Sequence, residues 1–582
     1  MIRKPTFLKR AAGAVAALTL IAVMTAAVLC GCAPKEPGTE PTMRPTADID
    51  VKEDDLKGTV VNTVFAEGVV PTAAELGISL DEFVRGGGKG EFSYEGNRGC
   101  KERSVIVSPQ YTLSVNGTSV PVYSTIVHDG TDQQNVLCSF AIVEIKDAEE
   151  PVLIAELTPV GFTVKRAAVL PEARKVTSAV GDDGVIRMGI RSYGDFSVLS
   201  DCSDGPVPDY SGSFARNTSF TLFVRRYVDE DAEIASLIER FGEENVTVFD
   251  AGLHNFEYVN IDRDNVALYF RRGCYMFSRG REDYGEDNDY FEKHRGDDIG
   301  WNLSRFPVIN ANGRKNIVIA GNGWIDGGGL GWHERRGVFL TNCDGIEVRN
   351  ITLFNMPEWS FMTYVSNGIK VEDCRIFGYK TNSDGFAICN SGDATVTDCF
   401  ARSGDDLFEI KTLGGPDHAV ADNVTFTSCT AWGSKARCFG IIAETEKPVS
   451  NITFRDCCVV YRDATWDNDF LGSLMVYLEG SGNSTSIDNI LFENIEIFCD
   501  RGRAINVKIE DGKAAPTHVT GIVFRNVRYT SSMKNQLYSP EGDYVQNVRL
   551  ENVEANGSLI RQEDAEKYFD VTGNGRISVE NG

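Results

Sequence analysis

The chain has 582 residues, 42% hydrophobic and 24% charged, which is too long for one ordinary compact core and too apolar for a disordered polymer. Two or more domains, or one elongated repeat, are expected. A formal net charge of -26 argues against nucleic acid, which needs a basic footprint, and requires any polyanionic substrate to find a local basic cleft.

Residues 1–31 read as a secretory signal: Arg3, Lys4, Lys9 and Arg10 precede an apolar run from Ala11 to Leu29. The ending Leu29-Cys30-Gly31-Cys32 looks like a bacterial lipobox. It would put a lipid on Cys32 and hold the protein outside the cytoplasm, on the bacterial cell membrane. A single uncleaved anchor helix is the plainer alternative, and it also exports the chain. Residues 32–58, rich in Pro, Thr and acids, read as a disordered tether. No later segment is long and apolar enough to span a bilayer.

Residues 59–228 alternate short apolar runs such as "YTLSVNGTSVPVYSTIV" and "FTLFVRRY" with Gly, Asp and Asn turns, the pattern of an antiparallel β-sandwich. Residues 229–245 then place Ile234, Leu237, Ile238 and Phe241 at helical spacing behind an acidic start, which predicts one linking helix.

Residues 246–582 repeat. The segments "IEVRNITL", "IKVEDCRI", "ATVTDCFA", "VTFTSCTA", "ITFRDCCV", "ILFENIEI", "IVFRNVRY" and "VRLENVEA" align on Val348, Val371, Val396, Phe426, Phe454, Phe492, Phe524 and Leu550, with separations of 23 to 38 residues. A period-two strand of this kind cannot bury its face alone and must stack on the next, so the domain is predicted to be a right-handed parallel β-helix. The chain is thus expected to be all-β. Two positions after each anchor stands a polar ladder: Asn350, Asp373, Asp398, Ser428, Asp456, Asn494, Asn526 and Asn552.

The next position holds Ile351, Cys374, Cys399, Cys429, Cys457, Ile495, Val527 and Val553. Cysteine exchanges there with Ile and Val, so these four are read as small buried hydrophobes rather than disulfides or metal ligands. The other cysteines after Cys32 remain candidates for pairing, as an exported chain invites. With no Cys-x-x-Cys and six scattered histidines, a transition-metal site has little support, and the acidic stretch 280–298 lacks the ligand spacing of a Ca²⁺ loop.

The stretch "TNSDGFAICNSGDATVTDCFARSGDDLFEIKT" places Asp384, Asp405 and Asp406 about one coil apart. Asp384 and Asp405 are expected at nearly the same angular position on neighbouring coils, stacked about 4.8 Å apart. Gly404 permits a bend that turns both members of the tandem pair outward. Three such carboxylates repel, so at least one should have a raised pKa. One protonated acid and one ionised base is what hydrolysis of a glycosidic bond needs. An exposed Asp cluster on turns, or a Ca²⁺ site built from the same oxygens, is the alternative.

The stretches "GNGWIDGGG", "RRGVFLTNCDGIEVRNITLFNMPEWSF", "NSDGF" and "SGDD" resemble the β-helical glycoside hydrolases that include the polygalacturonases (family 28) and the dextranases with isopullulanases (family 49). The likeness covers about residues 246–560, and the added sandwich is similar to that of the dextranase branch. It implies Asp405 as general acid, and Asp384 with Asp406 holding and deprotonating the water. It implies inversion without a covalent intermediate, cofactor or metal. The Gly-His-Gly and Arg-Ile-Lys with which polygalacturonases grip uronate are absent, so an external neutral α-glucan of dextran type is favoured and a pectin or galacturonan hydrolase is the runner-up. A non-catalytic surface glycan binder and a Ca²⁺-dependent polysaccharide lyase are rivals of other classes. Lys411, Lys435 and Arg437 are candidates for a basic wall, with Lys411 expected in the cleft. Trp359, Trp432 and Trp466 are candidate platforms for sugar rings.

Overall fold

In this computed structural model the described residues are 49–85, 103–128, 135–201, 218–256, 258–279, 307–331, 335–414, 418–433, 436–462, 471–478, 485–509, 518–539, 544–545 and 547–581. The signal with Cys32, most of the tether, Lys435, Trp466 and residues 280–298 lie outside them.

Two sheets face each other between Thr59 and Arg226. One holds Thr59–Asn62, Val105–Val107, Tyr123–His128, Asn135–Lys146, Arg166–Leu170, Gly194–Asp201 and Ser219–Arg226; the other holds Tyr111–Val115, Thr118–Val120, Leu153–Pro159, Thr177–Val180 and Ile186–Ile190. Pairing is antiparallel except between Ser219–Arg226 and Asn135–Lys146, which run parallel. Leu113, Leu157, Met188, Val198 and Leu222 belong to the core between them. The larger sheet is apolar on both faces: Tyr123–His128 is buried along its whole length. Such a strand loses its polar alternation because both sides need cover.

The helix Glu230–Phe241 starts at Asp229, whose side chain accepts from the Ala232 amide at 3.2 Å, a standard N-cap. Its buried Ile234, Leu237 and Phe241 pack on Ala267, Tyr269, Val318 and Ala320, so it covers the outer face of the first coils besides joining the sandwich to the β-helix in sequence.

From Val246 on, three long parallel sheets run the length of a β-helix. The eight aligned anchors occupy one column of the first sheet in unbroken register. Its later members stack face to face, with Phe426, Phe454, Phe492 and Phe524 rings 4.9 to 5.0 Å apart. All eight residues of the polar ladder have φ between 51° and 65°. The corner there requires the left-handed conformation, which Asn and Asp tolerate best after glycine. The side chains also link coils: Asn494 donates to Asp456, and Asn526 to Asn494, each at 2.9 Å.

The cysteine ladder is free and buried, each thiol donating to the carbonyl two residues earlier at 3.1 to 3.4 Å. Pairing fails elsewhere too: Cys138, Cys274, Cys343, Cys389, Cys438 and Cys458 are also free and buried. They fill core positions as small hydrophobes.

The sandwich docks on the second sheet of the β-helix through aromatics. Trp324, Phe354, Phe377 and Phe400 form a row with centroids 5.1 to 5.5 Å apart, and Phe140 of the sandwich stacks on Phe377 at 5.0 Å. Trp432 continues this buried cluster.

Candidate active site

The third sheet carries the candidate chemistry. Phe361, Phe386, Phe408 and Phe439 point into the core in register, each opening its strand. Two residues before each anchor stands Trp359, Asp384, Asp406 and Arg437 respectively, so these four form one row along the helix axis. The pairing corrects the sequence expectation: Asp384 stacks on Asp406, not on Asp405, because Phe386 pairs with Phe408. The Gly385 amide donates to the Asp406 carbonyl at 2.7 Å. Asp405 stands one residue earlier, where its Oδ2 accepts from the Asn382 amide at 3.3 Å. Gly404 is needed here for space, since a Cβ would collide with the Lys380 carbonyl.

Exposure separates the three aspartates. Asp384 and Asp406 are each 2% exposed, whereas Asp405 is intermediate. Asp406 is pinned by Arg437: its Oδ1 accepts from the Arg437 amide at 3.0 Å and its Oδ2 from the guanidinium at 2.9 Å. Asp384 Oδ2 accepts from Lys411 Nζ at 3.0 Å, while its Oδ1 has no hydrogen-bond donor among the described residues.

Sequence reasoning missed Glu409. It is wholly buried on the outer side of the strand Phe408–Thr412, between the small Ala387 and Gly440 of the flanking coils. Oxygens of Asp384, Asp406 and Glu409 lie within 4.8 Å of one another. That spacing suits a divalent cation, but Lys411 supplies a positive charge, 3.1 Å from Glu409 and 3.5 Å from Glu444. The period-two alternation of the strand, which puts 409 and 411 on one side, was the signal that could have revealed the pair.

Burial pushes the Asp384 carboxyl well above its usual value, Lys411 opposes this, and Glu409, Asp405 and Asp406 add to it. Burial also pushes Glu409 up to about 7, against the pull of Lys411. For Lys411, burial favours loss of the proton, but Asp384, Glu409 and Glu444 outweigh it and hold the ammonium charged. Burial thus favours the neutral form of Asp384 and Glu409 and Lys411 opposes it, beside a more exposed Asp405.

Lys411 and Arg437 do not form an open basic wall, because both are buried and engaged by site carboxylates. Trp359 lies in the row, mostly buried between Arg336 at 4.7 Å and Lys411 at 4.9 Å. Trp432 is not at the site: it is buried on the second sheet under the Arg402 guanidinium, 4.2 Å from the ring. Docking of the sandwich claims it.

The parallel β-helix can be set beside known proteins. The model of "Glycosyl hydrolases family 28" matches residues 285–573. Dex49A from Penicillium minioluteum shares the fold, with a TM-score of 0.54 at 12% identity over 83% of this chain and 96% of that one. The segment matched by the family model is just under half of the chain, and the likeness to Dex49A, at 12% identity, is one of fold. A probable exopolygalacturonase B of Aspergillus flavus is 28% identical over 38% of this chain and 56% of its own length. A probable polygalacturonase of Arabidopsis thaliana is 25% identical over 37% of this chain and 48% of its own. The chain thus spans about half the length of the curated relatives it matches.

Proposed function

We propose that the protein is an inverting glycoside hydrolase in which Asp405 protonates the leaving oxygen while Asp384 and Asp406 hold and deprotonate the attacking water. The observation that carries this reading is the in-register pair Asp384 and Asp406 beside the more exposed Asp405. A general acid must reach the glycosidic oxygen, so it belongs at the solvent-facing position. The unpartnered Oδ1 of Asp384 is an acceptor for the water. Lys411 and Arg437 keep two adjacent acids from both losing their charge by proton uptake. Attack by water rather than by a carboxylate inverts the anomeric centre.

The substrate we favour is a neutral α-glucan of dextran type outside the cell. Asp384, Asp406, Glu409 and Glu444 stand beside Lys411 and Arg437, so a uronate carboxylate would enter a site already rich in carboxylates. A galacturonan substrate is the second reading, supported by the polygalacturonase names of the sequence relatives. The Leu29-Cys30-Gly31-Cys32 sequence supports export and anchoring through a lipid on Cys32; release of the protein from membranes by Cys32→Ser tests that part.

Proton NMR with dextran, pullulan and polygalacturonate in turn, using Asp405→Asn as control, tests the whole reading. An anomeric signal of inverted configuration on one glucan, lost in the variant, is expected. Cleavage of polygalacturonate alone would replace the glucan by the galacturonan. An unsaturated, Ca²⁺-dependent product would make the protein a lyase, and binding without cleavage a glycan-binding solenoid.

A further inference from the structure

Lys380, four residues before Asp384, is wholly buried, and the three protons of its ammonium are shared among four main-chain carbonyls: Gly327 at 2.9 Å, Gly328 at 3.4 Å, Leu330 at 2.6 Å and Asn355 at 3.1 Å. A buried ammonium is costly unless its protons are satisfied, and these acceptors meet that need. The four carbonyls come from two earlier coils, so one side chain ties three levels of the solenoid together.

Each end of this tie leads somewhere specific. On one side, Asp326 Oδ1 accepts from the Gly328 amide at 2.7 Å and from the Ser104 hydroxyl at 2.6 Å, and its Oδ2 accepts from the Ser104 amide at 2.8 Å. Asn355 Nδ2 donates to Ser104 Oγ at 2.8 Å and to Thr125 Oγ1 at 3.1 Å. Ser104 and Thr125 belong to the sandwich. On the other side, the Lys380 carbonyl accepts from the Ser383 hydroxyl at 2.6 Å, and Ser383 Oγ accepts from the Gly404 amide at 3.0 Å. Ser383 precedes Asp384 and Gly404 precedes Asp405. A continuous buried polar chain therefore runs from the first domain to both acid-bearing turns.

We propose that Lys380 is a positioning residue through which the β-sandwich holds the turns of Asp384 and Asp405, making that domain a fixed part of the catalytic apparatus rather than a detachable sugar-binding module. Hydrolysis needs its acid and base held to within a fraction of an ångström, and turns alone do not supply that stiffness. The kinetic half of this inference rests on the hydrolase reading; the structural half does not.

Hydrogen–deuterium exchange on the full chain compares wild type with Ser104→Ala and Lys380→Met. Exchange in peptides covering 380–386 and 402–407 is expected to rise about tenfold in both, with peptides covering 518–526 unchanged. On whichever of dextran, pullulan and polygalacturonate the wild type cleaves, kcat should fall about ten- to hundredfold with KM within about twofold. Wild-type exchange in the two turns of Ser104→Ala overturns the proposal, and so does an effect confined to KM. Ser104→Ala removes one hydroxyl and decides the matter even where Lys380→Met does not fold. Inactivity of wild type, or full activity of Asp405→Asn, would instead overturn the hydrolase reading and leave the exchange result to stand.

Discussion

Phe377 and Asp384 lie seven residues apart on one coil, yet they belong to rows of opposite character. On the second sheet, parallel stacking repeats an aromatic from coil to coil, and Trp324, Phe354, Phe377 and Phe400 attract one another under the sandwich. On the third, the same stacking sets Asp384 on Asp406, with Glu409 beside them, and like charges repel. A parallel solenoid amplifies whatever residue type it repeats. An aromatic row is stable by itself, whereas an acid row needs the cations of Lys411 and Arg437.

The largest expected difference between the two faces is in turnover. Asp405→Asn should lower the hydrolysis rate by roughly 10²–10⁴ with no change in melting temperature, followed by release of reducing ends. Retained activity would remove the acid row from the mechanism.

Lys411→Met should damage both properties at once. It leaves Asp384 and Glu409 buried without their cation, a change that costs on the order of 3–5 kcal/mol in comparable buried pairs, and turnover should fall with it. A urea titration at constant m-value, taken beside the rate, checks this.

Phe223 is buried in the sandwich, with its ring 5.2 Å from Phe400. Phe223→Ala should cost about 3–5 kcal/mol by the same titration, while turnover per folded molecule stays within about threefold. A collapse of turnover would mean that the aromatic face, and not only the polar chain through Lys380, sets the acid geometry.

Proton uptake gives a smaller signal. The Glu409 carboxyl is held at about 7 in the folded chain, chiefly by burial, against an ordinary value of 4.5. Between those values the folded protein keeps a proton that the unfolded chain has released, so stability present below pH 4.5 is lost as pH rises through 7. Asp384 is shifted in the same direction. Glu409→Gln abolishes the contribution of Glu409, so its melting temperature should gain on wild type between pH 5 and pH 8. Parallel melting curves would show Glu409 ionised throughout.

The smallest effect is expected at the corners, which serve neither face. Asn494→Ala puts a Cβ-bearing residue without a local polar side chain at φ 54° and should cost roughly 1–2 kcal/mol.

The sequence by itself determined the repeat, the anchor column from Val348 to Leu550, the polar corner ladder and the unpaired cysteine ladder, because each depends on a spacing that recurs in the chain. It also brought Asp384, Asp405 and Asp406 to notice. Only the tertiary structure decided which aspartate stacks on which: a coil whose length changes by one residue turns its neighbour to a different place, and register is read from backbone pairing, not from counting. Docking decided the fate of Trp432, an ordinary candidate platform until the sandwich covered it. The charges of Lys411 and Arg437 looked available for a ligand in the sequence, and burial beside Asp384, Glu409 and Asp406 assigned them to the protein itself, because ions removed from water must pair with the nearest opposite charge.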